Sequence, residues 1–142
     1  MRIALLVLLV ALAASPSWGQ SHTTHGGASS GTSTPSNDVR NLEPAQLAAM
    51  LGKANVFIYD CNEEDMFREA HVPGAKLTVY DQVTADQLPT DLSATLIFYC
   101  YSPECPAATT AARTALTLGH TDVYSMLAGI TGWQDAGLPT EP

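Results

Sequence analysis

The run Thr95-Leu96-Ile97-Phe98-Tyr99 is the feature that most constrains the fold of this chain. Its β-branched and aromatic residues predict a strand, the strongest in the sequence. The chain then passes through a short segment rich in cysteine and proline, residues 100–106, into an Ala/Thr-rich segment. That segment predicts a helix ending at Gly119. A strand that leads directly into a helix indicates an α/β architecture.

Similar strand and helix signals alternate along the chain on both sides of this run. Further strands are predicted at residues 56–59, 76–80 and 123–127. Helices are predicted at residues 43–51, at 63–67 after a capping Asn62, weakly at 85–88, and at 130–136. The pattern predicts a small open parallel sheet of about five strands with helices on both faces.

The first 41 residues divide into two segments that precede the domain. Residues 1–19 have the charged start, apolar run and small residues of a secretory signal peptide, with cleavage expected near Gly19. Residues 20–41 are rich in Gly, Ser and Thr and predict a flexible linker, so the domain is expected over 42–142. No later stretch is long and apolar enough to cross a membrane. The expected protein is exported, to a periplasm or to the exterior, without a stable membrane span after cleavage.

Composition narrows the classes of partner. The chain has 142 residues, 46% of them hydrophobic, which suits one packed domain. Its net charge of −8 disfavours nucleic acid as a partner, since a polyanion would be repelled. Nothing in the sequence indicates a cofactor or a metal site, and no motif names a protein partner.

Cys100 is the candidate reactive residue. It follows the strand at residues 95–99, and the carboxyl ends of strands are where open α/β sheets bind ligands. Backbone amides of the following loop and the dipole of the next helix would stabilise a thiolate there. We expect the pKa of Cys100 to lie below the usual thiol value of about 8.5.

Five segments in order resemble a rhodanese-like domain of the sulfurtransferase type. They are residues 56–61, residues 64–75 ending in His71-Val72-Pro73-Gly74-Ala75, Phe98-Tyr99-Cys100, residues 118–133 ending in Gly129-Ile130-Thr131-Gly132-Trp133, and Ala136-Gly137-Leu138-Pro139. The resemblance covers residues 42–141 and implies a persulfide mechanism. The Cys100 thiolate would take the outer sulfur of a small donor such as thiosulfate and pass it to a thiol acceptor.

The resemblance also assigns the remaining candidate residues. The substrate-binding loop would be formed by Tyr101, Ser102, Pro103 and Glu104. The secondary candidates are Asp60, Cys61, His71 and Trp133. Asp60, His71 and Trp133 are interpreted as structural rather than catalytic. Cys61 follows the strand at 56–59 and is interpreted as a buried core thiol, with a place at the rim of the site as the alternative.

The loop departs from the common family pattern in a way that leaves the function open. Family members usually carry a glycine and an arginine there, whereas this loop has Pro103 and Cys105 and no basic residue before Arg113. The natural use of thiosulfate is therefore in doubt. Cys105 completes a Cys-x4-Cys pattern and is a candidate resolving thiol, able to form a disulfide with Cys100. The alternatives are thus a sulfurtransferase or persulfide carrier, a thiol–disulfide redox module, or a non-catalytic rhodanese-like binding module.

Overall fold

The computed structural model describes residues 39–142, which form an open, fully parallel five-stranded sheet. The strand order is β1-β5-β4-β2-β3. The strands are β1 (Arg40–Asn41), β2 (Val56–Asp60), β3 (Lys76–Leu77), β4 (Thr95–Tyr99) and β5 (Asp122–Met126). This confirms the predicted fold class. The expected signal peptide, and the expected linker up to residue 38, lie outside the described residues.

Three α-helices and one turn of 3₁₀ helix connect the strands, and a fourth α-helix follows β5. The helices are α1 (Pro44–Ala48), α2 (Glu64–Glu69), α3 (Ala107–Thr117) and α4 (Gly129–Asp135), and the 3₁₀ turn is Ala85–Gln87. In the described part of the chain, no helix combines the length and the apolarity needed to cross a membrane.

The central strand β4 separates two apolar clusters, one on each face of the sheet. Leu96 and Phe98 face the cluster that contains the small, alanine-rich buried side of α3. Ile97 and Tyr99 face the opposite cluster, which includes Leu47 of α1 and residues of α4. All four of these β4 side chains are fully buried, as the alternation of side chains in a strand covered on both faces requires.

Strand β1 lies two residues ahead of the expected domain start at Leu42, in what the sequence indicated to be linker. Its backbone pairs with β5 at the edge of the sheet. The Arg40 guanidinium donates to Asp122 at 2.5 Å and lies 4.1 Å above the ring of Tyr124. These contacts join residues far apart in the chain. Because Arg and Asn have no strand preference, the local sequence does not indicate a strand at β1.

The turn after β2 differs from the expected arrangement. Asn62 was expected to cap the following helix, but the residue before α2 is Glu63. The backbone amide of Asn62 instead donates to Asp60 Oδ1 at 2.8 Å, so Asp60 organises the turn. The expected strand at 76–80 is reduced to two paired residues, Lys76–Leu77, at the other edge of the sheet.

Candidate active site

Cys100 is the first residue after β4 and is held in place by the start of α4. Its carbonyl oxygen accepts a hydrogen bond from the Ile130 amide at 2.9 Å, and the carbonyl of Tyr101 accepts one from the Thr131 amide at 3.1 Å. The approach requires glycine at position 129, where φ is +66° and a Cβ atom would lie 2.5 Å from the Tyr101 carbonyl carbon. The backbone of Cys100 is thus fixed from two sides, by β4 and by α4.

The loop of residues 100–106 turns back on itself and brings its two cysteines together. The Cys105 amide donates to the Ser102 carbonyl at 3.1 Å. The Ser102 hydroxyl also donates to the exposed Glu104 carboxylate at 2.7 Å, and this bond lowers the pKa of Glu104. Cys100 and Cys105 form a disulfide with their Cα atoms 6.2 Å apart. In this state Cys100 carries no thiol, so the low pKa expected for it remains a prediction about the reduced protein.

A cleft of about 400 Å³ opens beside this disulfide. It brings together residues from the turn after β2, from α2, from the segment after β3, and from the loop and first residue of α3. Its lining is Cys61, Asn62, Glu63, Met66, Tyr80, Cys100, Tyr101, Cys105 and Ala107. The three cysteines and Tyr101 therefore share one site, whereas Ser102, Pro103 and Glu104 are not part of its lining.

Cys61 is the free cysteine of the described residues and is buried in the wall of the cleft. Its amide donates to the Tyr99 carbonyl at 2.8 Å, which places it beside Cys100 at the ends of the paired strands β2 and β4. Burial raises the pKa of the Cys61 thiol to about 12, and the neighbouring Asp60 carboxylate adds to the shift. Cys61 is therefore protonated at neutral pH and a poor nucleophile.

Asp60, His71 and Trp133 do not line the cleft, and each makes contacts that support the fold. Asp60 is fully buried; burial raises its pKa, while hydrogen bonds from Tyr99 and Asn62 oppose the increase. His71 Nδ1 lies 2.9 Å from the carbonyl oxygen of Phe67, and the two rings are stacked. The fully buried Trp133 ring donates through Nε1 to the carbonyl of Pro139 at 2.8 Å.

Tyr80 and Glu63 line the cleft although the sequence did not single them out as site residues. Their only signal was position, since Glu63 follows one predicted strand and Tyr80 is the last residue of another, both on the carboxyl side of the sheet. Arg113 lies elsewhere, in a depression that it shares with Ser125 and Leu127. Within residues 39–142 no group of three or more His, Cys, Asp or Glu side chains is placed to hold a metal ion.

The chain matches a known protein family over most of its domain. Residues 43–136 match the family model of the rhodanese-like domain, which is two thirds of the chain. This chain belongs to the rhodanese-like domain family. It is 26% identical over 97 residues to the thiosulfate sulfurtransferase GlpE of Pseudoalteromonas translucida (strain TAC 125), covering 68% of this chain and 90% of that protein.

Solved structures of other proteins share the fold. The BH2092 protein of Bacillus halodurans superposes with a TM-score of 0.66 at 24% identity, covering 72% of this chain and 76% of that one. A thiosulfate sulfurtransferase from Pseudomonas aeruginosa gives a TM-score of 0.62 at 26% identity, covering 73% of this chain but only 19% of that larger one. SseA of Escherichia coli gives a TM-score of 0.60 at 19% identity, covering 73% of this chain and 50% of that one.

Proposed function

We propose that this protein is an exported sulfurtransferase that carries sulfane sulfur as a persulfide on Cys100. The observation that carries the proposal is the position of Cys100 at the carboxyl end of the central strand β4, facing a cleft of about 400 Å³. The relatives named thiosulfate sulfurtransferase support the reaction type. The signal-like sequence of residues 1–19 supports export.

The proposed reaction begins with the reduced protein. The Cys100 thiolate attacks the outer sulfur of a donor; a bond forms from Cys100 Sγ to that sulfur, and the donor's sulfur–sulfur bond breaks. With thiosulfate the leaving group is sulfite. An acceptor thiolate then attacks the outer sulfur of the persulfide and Cys100 leaves as thiolate, so the cycle requires no net oxidant or reductant.

The start of α3 supports an anionic sulfur at Cys100. The first amides of a helix have no carbonyl partner within the helix, and the helix dipole adds a partial positive charge at this end. The Thr110 amide is bonded to the Pro106 carbonyl at 3.0 Å, so the unpaired amides belong to the residues just before it, beginning at Ala107. Ala107 lines the cleft together with Cys100.

The disulfide must be opened before this reaction. Cys100 cannot attack a donor while bonded to Cys105, so a dithiol reductant has to supply two electrons and two protons first. A periplasm or the exterior of a cell is oxidising, which favours the disulfide as the resting state of an exported protein.

Intact mass spectrometry tests the proposal directly. The reduced protein is incubated with thiosulfate or with polysulfide, beside Cys100→Ser and Cys105→Ser variants. We expect a gain of one sulfur atom that is absent from Cys100→Ser and present in Cys105→Ser. If no donor adds sulfur to the reduced protein, sulfur transfer must be withdrawn.

The observed disulfide favours a second candidate, a thiol–disulfide redox module that uses Cys100 with Cys105. In that function the thiols of Cys100 and Cys105 in the reduced protein form a disulfide with each other and pass two electrons to a disulfide of a partner, which is reduced to two thiols. Loss of two hydrogens under a mild oxidant, dependent on both cysteines and unaccompanied by any sulfur gain, would favour this candidate.

A further inference from the structure

The side chains that line the cleft beside Cys100 determine which class of molecule can bind there. We infer that the sulfur acceptor is a thiol with an apolar body and no negative charge other than that of its reacting thiolate. The inference rests on the proposed sulfur transfer and goes further, since it names the class of acceptor. It is carried by the apolar side chains that line the cleft and by the absence of lysine and arginine from that lining.

The apolar wall of the cleft comes from four residues. Met66 of α2, Tyr80 after β3, Tyr101 of the loop and Ala107 of α3 line the same cleft as the three cysteines. Tyr80 and Tyr101 line the cleft and are 40% and 51% exposed, so their side chains are available to contact an apolar ligand there. Burial of an apolar group against these side chains is favourable, and aromatic rings add to it.

Most of this wall is independent of the disulfide. Met66 and Tyr80 belong to segments outside the loop of residues 100–106, and Ala107 begins α3. Opening the bond between Cys100 and Cys105 changes covalent structure within the loop alone. The apolar wall is thus available to the reduced protein, in which sulfur transfer takes place.

The charges near the cleft disfavour an anion. Glu63 is the one charged residue of the lining, and Glu104 carries a second carboxylate on the exposed side of the loop. None of the lysine and arginine side chains of residues 39–142 lines the cleft. Arg68 is bound to Glu64, and Arg113 lies in a different depression. A sulfonate or carboxylate on the acceptor would be repelled by these carboxylates, and no lysine or arginine side chain of the described residues lines the cleft to pair with it.

The transfer step is balanced for such an acceptor. The acceptor thiolate attacks the outer sulfur of the Cys100 persulfide and forms a new sulfur–sulfur bond. The bond between Cys100 Sγ and that sulfur breaks, and Cys100 leaves as thiolate. The product is the acceptor's own persulfide, and no other reactant is consumed.

A charge series of thiols tests the inference. Reduced protein and the Cys105→Ser variant, which cannot close the loop disulfide, are loaded with sulfur from polysulfide and freed of excess donor. Sulfur loss is then followed by intact mass with benzyl mercaptan and with 2-mercaptoethanesulfonate at equal thiolate concentration. The same two thiols react with glutathione persulfide in parallel, which corrects for their intrinsic reactivity.

We expect the corrected rate with benzyl mercaptan to exceed that with the sulfonate at least tenfold. Glu63→Gln should raise the sulfonate rate about threefold, as expected for removing one like charge from the lining of the cleft. Asp135→Asn makes the same change of charge at an exposed site outside the cleft and should leave both rates unaltered. Tyr80→Ala should lower the benzyl mercaptan rate and spare the sulfonate rate.

Equal corrected rates for the two thiols would overturn the inference and leave sulfur transfer standing. A faster rate with the sulfonate would do the same. If no sulfur can be loaded onto Cys100 from any donor, the proposed function itself fails, and the inference fails with it.

Discussion

The hydroxyl of Tyr99 donates a hydrogen bond to Asp60 Oδ2 at 2.5 Å, between two side chains that are both fully buried. The same hydroxyl accepts a bond from the backbone amide of Val72 at 3.0 Å. Tyr99 and Asp60 are register partners on β4 and β2, immediately before Cys100 and Cys61. This pair therefore fixes the strand ends from which Cys61 and Cys100 follow.

Tyr99→Phe tests the energetic weight of this pair. The substitution leaves the Val72 amide and one oxygen of Asp60 buried without their partner, so we expect a loss of about 2 to 6 kcal/mol in the free energy of unfolding, on the order of 1 to 3 kcal/mol for each group. Urea denaturation measures it. The matched control is Tyr59→Phe, whose hydroxyl makes a single bond to the Gln87 carbonyl at 3.3 Å; its cost should be about 1 kcal/mol. Equal losses in the two variants would contradict the special role of Tyr99.

Gly129→Ala tests the contact between α4 and the cysteine loop. An alanine Cβ would lie 2.5 Å from the Tyr101 carbonyl carbon and 2.7 Å from the Ser102 nitrogen, so the loop has to shift. We expect sulfur loading of Cys100 to slow at least tenfold in the reduced protein. Gly137→Ala is the control, because Gly137 also has a positive φ, +69°, but no atom within 4 Å of its Cβ position. It should cost about 1 to 2 kcal/mol of stability and leave loading intact. Equal loading rates in both variants would argue against the contact.

The three cysteines should differ sharply in reactivity. In unreduced protein we expect one thiol per chain after denaturation, from Cys61, since Cys100 and Cys105 are bonded to each other. In native reduced protein at pH 8, iodoacetamide should modify Cys100 and spare Cys61, whose pKa is raised by burial to about 12. Peptide mapping locates the adducts. Rapid labelling of Cys61, or a Cys61→Ala variant that no longer loads sulfur, would disagree with this assignment.

His120 should make the stability of the domain depend on pH. Its ring is buried, Nδ1 has no hydrogen-bond partner among residues 39–142, and burial lowers the pKa of the imidazole despite the opposing charge of Asp91. Because His120 has the higher pKa in the unfolded chain, about 6.5, the unfolded chain binds the proton first as the pH drops. The stability of the domain therefore falls below that pH. Urea titrations at pH 8 and pH 5.5 measure the loss. We expect His120→Leu to show a smaller difference between the two, and an unchanged difference would rule out His120 as its source.

The fold was largely predictable because its signals are local. Apolar runs and helix boundaries determine the order of strands and helices, and the position of Cys100 follows from the run at 95–99. Strand β1 and the partner of Asp60 were not predictable, since both depend on contacts between residues distant in the chain.

The composition of the candidate site was predictable only in part. The spacing of Cys100 and Cys105 allowed a disulfide, but whether their sulfur atoms meet depends on the loop conformation that the Ser102 turn imposes. The apolar wall was harder to foresee. Tyr80 reaches the cleft from the segment that follows β3, and no sequence period encodes that placement.

The central place of β4 has a consequence for hydrogen exchange. Its backbone is paired along its full length with β2 on one side and with β5 on the other, and both faces are covered. Amides in such a strand exchange with solvent only when the whole domain opens, whereas those of an exposed loop exchange through small local fluctuations. The residue that precedes Cys100 thus belongs to the slowest-exchanging part of the domain. Reduction of the disulfide can therefore loosen the loop of residues 100–106 while Cys100 stays attached to the end of a stable strand.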